Sequence, residues 1–211
     1  MCAYCSLMET EASAVRFTID HYEPVAARPE LKSDYGNLMY ACEPCNSRKG
    51  DRYPPPSARA VGYRFFRPDH DVHPDHFRLE GMRLGGETST GEYTIDALDL
   101  NRHMLRRLRE LRLRKMAAEE YISEGVAALR RFHIDRLPPE IKGKVFAAIR
   151  GTLATAAEVA AKVDEVLRIE ARSPLLGDDP DPDLTSAEER DRKARLRALE
   201  ALFNASWRGR D

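Results

Sequence analysis

The stretch FTIDHYEPVAARPELKSDYGNLMYACEPCNSRKGD, residues 17–51, decides how this chain is read. It contains Asp20–His21, Asn37 and Asn46, and its Cys42-x-x-Cys45 pair answers a Cys2-x-x-Cys5 pair, CAYC, at the start of the sequence. Two such pairs supply four thiolates, the usual closed tetrahedral set of a structural zinc, and the two-residue spacing lets both sulfurs of one pair reach one ion around a tight turn. The 36 residues between Cys5 and Cys42 are too many for a simple zinc ribbon, but they suit a strand–loop–strand element inserted above the metal. All four cysteines are paired in this way and no charged-then-apolar leader precedes them, so reduced thiolates in a cytoplasmic protein are expected rather than disulfides.

Within this frame Phe17, Ile19, His21 and Tyr22–Pro24 read as a short strand that Pro24 ends. Leu38–Ala41 read as a second strand, and Pro44 opens a helix through Asn46 to Lys49. The residues on these elements suit phosphodiester hydrolysis, which needs an activated water, a cation against the phosphate charge and donors that hold the phosphate. His21 can accept a proton near neutral pH. Asp20 offers a hard oxygen ligand for magnesium or manganese, and the Asn46 carbonyl is a second candidate ligand. Asn37 can bond either the imidazole or a backbone group and so set the tautomer of His21. One tension stands: neighbours on a strand face opposite sides, so Asp20 and His21 share a site only if the strand bends or the substrate wedges between them.

Taken in order, C-x-x-C, D-H-x-x-P, N-L and C-x-x-C-N-x-x-K resemble the HNH endonuclease family with its ββα-metal fold, over about the first fifty residues. The resemblance implies that His21 is the general base, that Asp20 and Asn46 bind the catalytic Mg²⁺ or Mn²⁺, and that Asn37 orients the base. It also implies that Asp20 and His21 do share one site. Many relatives carry histidine where this chain has Asn46, which leaves the choice of metal open. The fold class expected is therefore α+β, a small zinc-stabilised ββα-metal nuclease motif followed by a mainly α-helical C-terminal region.

Three segments are expected: the motif at 1–53, an irregular extension at 54–97, and a helical region at 98–211 with an acidic linker, GDDPDPD, at 177–183. In the extension Pro54–Pro56 read as a rigid spacer, with strand fragments at Arg64–Phe66 and Glu92–Ile95. Beyond it Met104, Leu105, Leu108, Leu111, Ile122, Val126 and Leu129 recur at helical spacing. Capping boxes at Thr155/Glu158 and Thr185/Glu188 open two more helices, the last with Leu196, Leu199, Phe203 and Trp207 as its apolar stripe, suited to a core or to a partner subunit.

Basic and acidic residues nearly cancel, 34 against 35, which excludes a bulk-basic binder and requires any nucleic-acid surface to be local. The candidates are Arg48 and Lys49 beside the motif, and a helical stripe containing Arg102, Arg106 and Arg109. His70, His73 and His76 alternate with acids, but their spacing fits no closed metal geometry and reads as loop or packing. No stretch is apolar enough to span a bilayer.

The sequence thus leads to a metal-dependent endonuclease with DNA as its substrate and RNA not excluded. The resemblance suggests restriction or phage defence as its setting. Two rivals remain: a zinc-stabilised nucleic-acid-binding module that does not cut, and a nuclease active only with a partner ATPase or sensor. A second copy of the chain is a further candidate partner.

Overall fold

The computed structural model describes residues 1–11, 15–131, 138–151, 154, 157, 161, 182–203 and 207, with some side chains in 118–131 and 182–183 left aside. The capping box at Thr155/Glu158, most of the acidic linker, and the side chains of Ile122, Val126 and Leu129 lie outside the described residues. The fold is mixed: two small two-stranded sheets with helices, four cysteines clustered in the N-terminal part, and a mainly helical C-terminal part.

The first sheet pairs β1 (Phe17–His21) with β2 (Leu38–Cys42) in antiparallel register, Phe17 opposite Cys42 and His21 opposite Leu38. The intervening loop is closed by Tyr22 N–H donating to the Asn37 carbonyl at 2.8 Å. β2 runs directly into α1 (Glu43–Lys49), where Pro44 occupies the first turn. There its missing N–H costs nothing, because first-turn N–H groups have no partner within the helix. Gly50 ends α1 at φ +52°, a left-handed position that a glycine takes without strain.

Residues 54–97, expected as an irregular extension with turns and short strands, carry short helices beside a hairpin. α2 (Pro56–Ala60) starts within the proline run, and α3 (His73–His76) leads into a second antiparallel hairpin, β3 (Phe77–Glu80) with β4 (Arg83–Gly86). The strand fragment expected at Glu92–Ile95 is instead part of α4 (Ser89–Leu98). Its residues are β-formers by propensity, yet burial overrides propensity here: Tyr93, Thr94 and Ile95 are all buried. The Thr88 side chain caps the helix by accepting from Gly91 N–H, and the Thr94 hydroxyl bonds back to the Thr90 carbonyl at 2.7 Å. At Gly91 a Cβ would meet the His76 carbonyl oxygen at 2.0 Å, so only glycine lets α3 and α4 approach this closely. Arg64–Phe66 form no strand; Phe65 and Phe66 are core residues of a loop.

α5 (His103–Arg131) follows. Residues 139–151 are also helical, and α6 (Pro182–Leu202) begins three residues before the expected Thr185 cap. Glu188, expected to close that cap, bonds Arg83 and Arg106 instead. The chain packs as two compact units, Met1–Arg107 with Leu175–Asp211, and Leu108–Pro174. Among the described residues no helix is long and apolar enough to cross a membrane.

The core of the first unit is an aromatic series: Phe65 lies 4.9 Å from Tyr93, Tyr93 5.0 Å from Trp207, and Trp207 5.8 Å from Phe203, measured between ring centroids. Trp207 is 1% exposed, and its carbonyl accepts from Tyr53 N–H at 2.6 Å. Trp207 and Leu196 thus serve as core for the first unit, one of the two roles expected of that stripe. Trp207→Ala is expected to cost about 3–5 kcal/mol of unfolding free energy. A urea titration should show the midpoint falling with its slope unchanged.

Candidate active site

The cysteine frame is built by two turns facing each other. In the first, Cys2 N–H donates to the Leu7 carbonyl at 2.8 Å and Ser6, at φ +58°, reverses the chain. Ala3 N–H donates to the Tyr40 carbonyl at 2.8 Å, stitching this turn onto β2. The second turn is the β2–α1 junction, with Cys42 as the last strand residue and Cys45 on the helix. The four sulfurs all lie within 4.8 Å of one another, and Cys5 and Cys42 Sγ are 3.7 Å apart. A tetrahedral zinc with bonds of about 2.3 Å sets sulfurs about 3.8 Å apart, whereas a disulfide needs about 2 Å. The spacing therefore fits a tetrathiolate ion site.

Protons alone do not suit this cluster. Hydrogen bonds from Cys42, Cys45 and Cys5 push the Cys2 thiol well below its ordinary range, while bonds to Cys2, Cys42 and Cys5 push Cys45 up. Cys42 is lowered with Cys2 and Cys5 is raised with Cys45, so two thiolates are favoured at the expense of the other two; a dication is what allows all four. Arg102 adds positive charge from outside: its Nη2 lies 3.6 Å from Cys45 Sγ, and Nη1 donates to the Leu98 and Asp99 carbonyls at 3.2 and 3.0 Å.

α1 lies across the inner face of β1. Residues two apart on a strand share a face and residues three apart on a helix share a side, so Thr18 and Asp20 meet Asn46 and Lys49. Asn46 Nδ2 donates to Thr18 Oγ1 at 2.8 Å, which leaves its carbonyl oxygen as the atom with ligand character. Lys49 Nζ lies 3.0 Å from Asp20 Oδ1, and the Tyr4 hydroxyl donates to Asp20 Oδ2 at 2.5 Å. Lys49 also donates to the His21 carbonyl at 2.6 Å. Asp20 and Lys49 are both buried. Burial raises the Asp20 carboxyl and lowers the Lys49 ammonium, and their mutual attraction opposes both shifts.

His21 lies on the other side of the strand, as alternation requires. Its Nε2 is 2.9 Å from the Lys32 carbonyl oxygen. A carbonyl can only accept, so Nε2 carries the proton and Nδ1 is the basic nitrogen. Asn37 is buried and does not touch the imidazole: its Oδ1 accepts from Glu23 N–H at 2.8 Å, and its Nδ2 donates to the Glu23 and Leu31 carbonyls at 3.0 and 3.4 Å. Of the two expected partners it takes the backbone, and it fixes the loop whose next carbonyl, on Lys32, holds His21.

The basic residues are placed differently from the expected phosphate-facing surface. Lys49 is interior because Asp20 draws it in. Arg48 pairs with Asp99 at 3.8 Å and Arg106 with Glu188 at 2.9 Å, while Arg102 is committed to the cysteine cluster. Arg109 falls in the second unit, so the expected stripe is divided between the two units. His76 bonds Thr88 and faces Asp71 at 3.6 Å, and His73 packs on Phe77, in line with packing roles for these histidines. Tyr4 and Thr18 are the site residues that sequence reasoning missed. Thr18 could be found two places before Asp20 on the same strand face, and Tyr4 inside the first cysteine pair.

Residues 2–52 match the family model HNH endonuclease, and this part of the chain is an HNH endonuclease domain. The chain is also similar to Septu protein PtuB of Bacillus thuringiensis, 28% identical over 100 residues, which is 47% of this chain and 36% of that protein. The chain therefore aligns with little more than a third of this relative. No solved structure matches.

Lys49→Met would strand the Asp20 carboxylate in the interior and is expected to destabilise the first unit by about 3–5 kcal/mol. Pairing it with Asp20→Asn should restore part of that loss. Chemical denaturation of the single and double variants would measure both.

Proposed function

We propose that this chain is a metal-dependent endonuclease whose chemistry resides in residues 1–53, with DNA as substrate and phage defence as its setting. The observation that carries the reading is the bond between His21 Nε2 and the Lys32 carbonyl within an HNH domain, with a carboxylate and an amide oxygen across the same strand. In this reading His21 Nδ1 takes a proton from water as the water attacks phosphorus in line. Asn37 acts as a positioning residue by holding the loop that orients His21. The oxygens of Asp20 and Asn46 suit a hard cation, and they would hold Mg²⁺ or Mn²⁺. Such an ion, when bound, stabilises charge on the phosphate and the departing 3′ oxygen, so the product carries a 5′-phosphate. Lys49 opposes the rise that burial imposes on the Asp20 carboxyl and holds it in place. The four cysteines would hold a structural zinc, with no position left open for chemistry. The setting rests on the family resemblance, and the likeness to Septu protein PtuB points the same way.

One observation favours partner-dependent activity as a second reading. Arg48 and Arg106, two of the expected phosphate contacts, are already engaged by acids of the chain. A partner would then supply part of the nucleic-acid grip. Co-purification from the native host, followed by the cleavage assay with what co-purifies, separates this reading from a nuclease that acts alone.

Plasmid nicking with Mg²⁺ or Mn²⁺ is the direct test. His21→Ala should lower the rate by at least a hundredfold while zinc content and melting temperature hold. If zinc-loaded wild-type protein cuts neither DNA nor RNA under any divalent ion, alone or with its co-purified partner, the enzymatic reading is wrong. The zinc has its own expected outcome: wild type should carry one equivalent, and Cys45→Ser should lose both metal and thermal stability.

A further inference from the structure

One residue past His21 a cavity of about 320 Å³ opens, lined by Tyr22, Glu23, Tyr53, Arg59, Phe65 and Arg67 among others. This is within the size range of small-ligand clefts, about 300–1,000 Å³. Its rim is fixed to the proposed catalytic loop, since Asn37 holds Glu23 by two backbone bonds.

The walls combine aromatic rings with guanidinium groups. Arg59 stacks 4.5 Å from the Tyr53 centroid, and Arg67 lies 4.9 Å from that of Tyr22. Both rings are held at their edges: the Tyr22 hydroxyl donates to the Phe65 carbonyl at 2.7 Å, and the Tyr53 hydroxyl donates to Glu23 at 2.5 Å. Planar surfaces of this kind accept nucleobases, which stack on aromatic faces and on guanidinium planes alike.

The charges of the cavity are unequally satisfied. Arg64 makes two 2.6 Å bonds to Asp71, Arg67 is held by Asp69, and Glu23 is held by Arg28. Arg59 differs: its Nε is buried without a hydrogen-bond partner, and among the described residues no carboxylate pairs with it. A half-buried cation with an unanswered N–H, set between stacking surfaces, matches an anion attached to a planar ring.

We propose that this cavity binds one nucleotide, its phosphate on Arg59 and its base against the Tyr53 and Tyr22 stacks. The inference deepens the nuclease reading and rests on it in one respect: continuity with His21 makes this nucleotide a neighbour of the scissile phosphate, so the cavity would set preference at one flanking base. The same chemistry would also admit a free mononucleotide.

The test uses full-length, zinc-loaded protein in magnesium-free buffer. A fluorescein-labelled single-stranded DNA oligonucleotide is followed by fluorescence anisotropy, with AMP as competitor. Arg59→Gln and Tyr53→Leu should each weaken oligonucleotide binding about five- to tenfold, with melting temperature unchanged. Arg59→Lys should retain more affinity than Arg59→Gln. If AMP displaces the oligonucleotide from wild type but not from Arg59→Gln, the cavity takes free nucleotides as well. If AMP never competes while Arg59→Gln still weakens binding, it serves the strand alone. Wild-type affinity in both Arg59→Gln and Tyr53→Leu overturns the proposal, as does wild-type protein that binds neither probe. His21→Ala separates the two readings, for it should bind like wild type and fail to cut. Arg59-dependent binding by a protein that never cuts would keep the cavity and remove the nuclease.

Discussion

The architecture depends on bringing Cys2 and Cys5 against Cys42 and Cys45. That closure seats Tyr4 on Asp20 and sets the first turn on β2 through Ala3 and Tyr40. It also fixes where α1 begins, because Cys42 ends the strand and Cys45 is already helical. Once α1 starts at that point, its geometry alone brings Asn46 over Thr18 and Lys49 over Asp20. A shift of one residue would turn both side chains away from the strand face. Loss of the sulfur cluster would therefore undo the alignment of the candidate ligands without touching any of them.

The motif region was legible in the sequence because its signals are local. Cysteine spacing, a proline at a first helical turn and β-forming residues around Asp20–His21 define a ββα unit with little outside help. What stayed hidden depends on distant partners. Lys49 carries a charge that a short helix normally leaves in water, and only the buried carboxylate on the facing strand accounts for its position. Arg102 belongs by pattern to a basic stripe; its proximity to Cys45 appears only in the fold, where the Leu98 and Asp99 carbonyls hold it. Glu92–Ile95 misled for the opposite reason, since β-favouring side chains were overridden by burial in a helix capped by Thr88. Asp20 faces α1 and His21 the Lys32 carbonyl, so a substrate that uses both has to wedge between the two faces of β1.

A near-neutral chain can still be densely charged, and here opposite charges are spent on one another within the fold. α6 is fastened largely by ion pairs, Glu188 to Arg83 and Arg106, Arg192 to Asp99, and Arg195 to Asp96. Asp99, at φ +52° beyond the end of α4, receives both Arg48 from α1 and Arg192 from α6. The HNH helix and the C-terminal helix are thereby joined through one carboxylate. Such pairs are individually weak and sensitive to salt, so this attachment draws its firmness from their number and from Trp207.

Trp207 also has a consequence for the order in which the molecule takes shape. The cysteine frame uses residues 2–45, whereas the aromatic core around Tyr63 and Tyr93 is completed by Trp207, far further along the chain. Contacts between residues so far apart in sequence are slow to form. The motif can therefore gather its ligands before the scaffold that supports it is sealed, and until Trp207 docks the HNH domain sits over an open hydrophobic core.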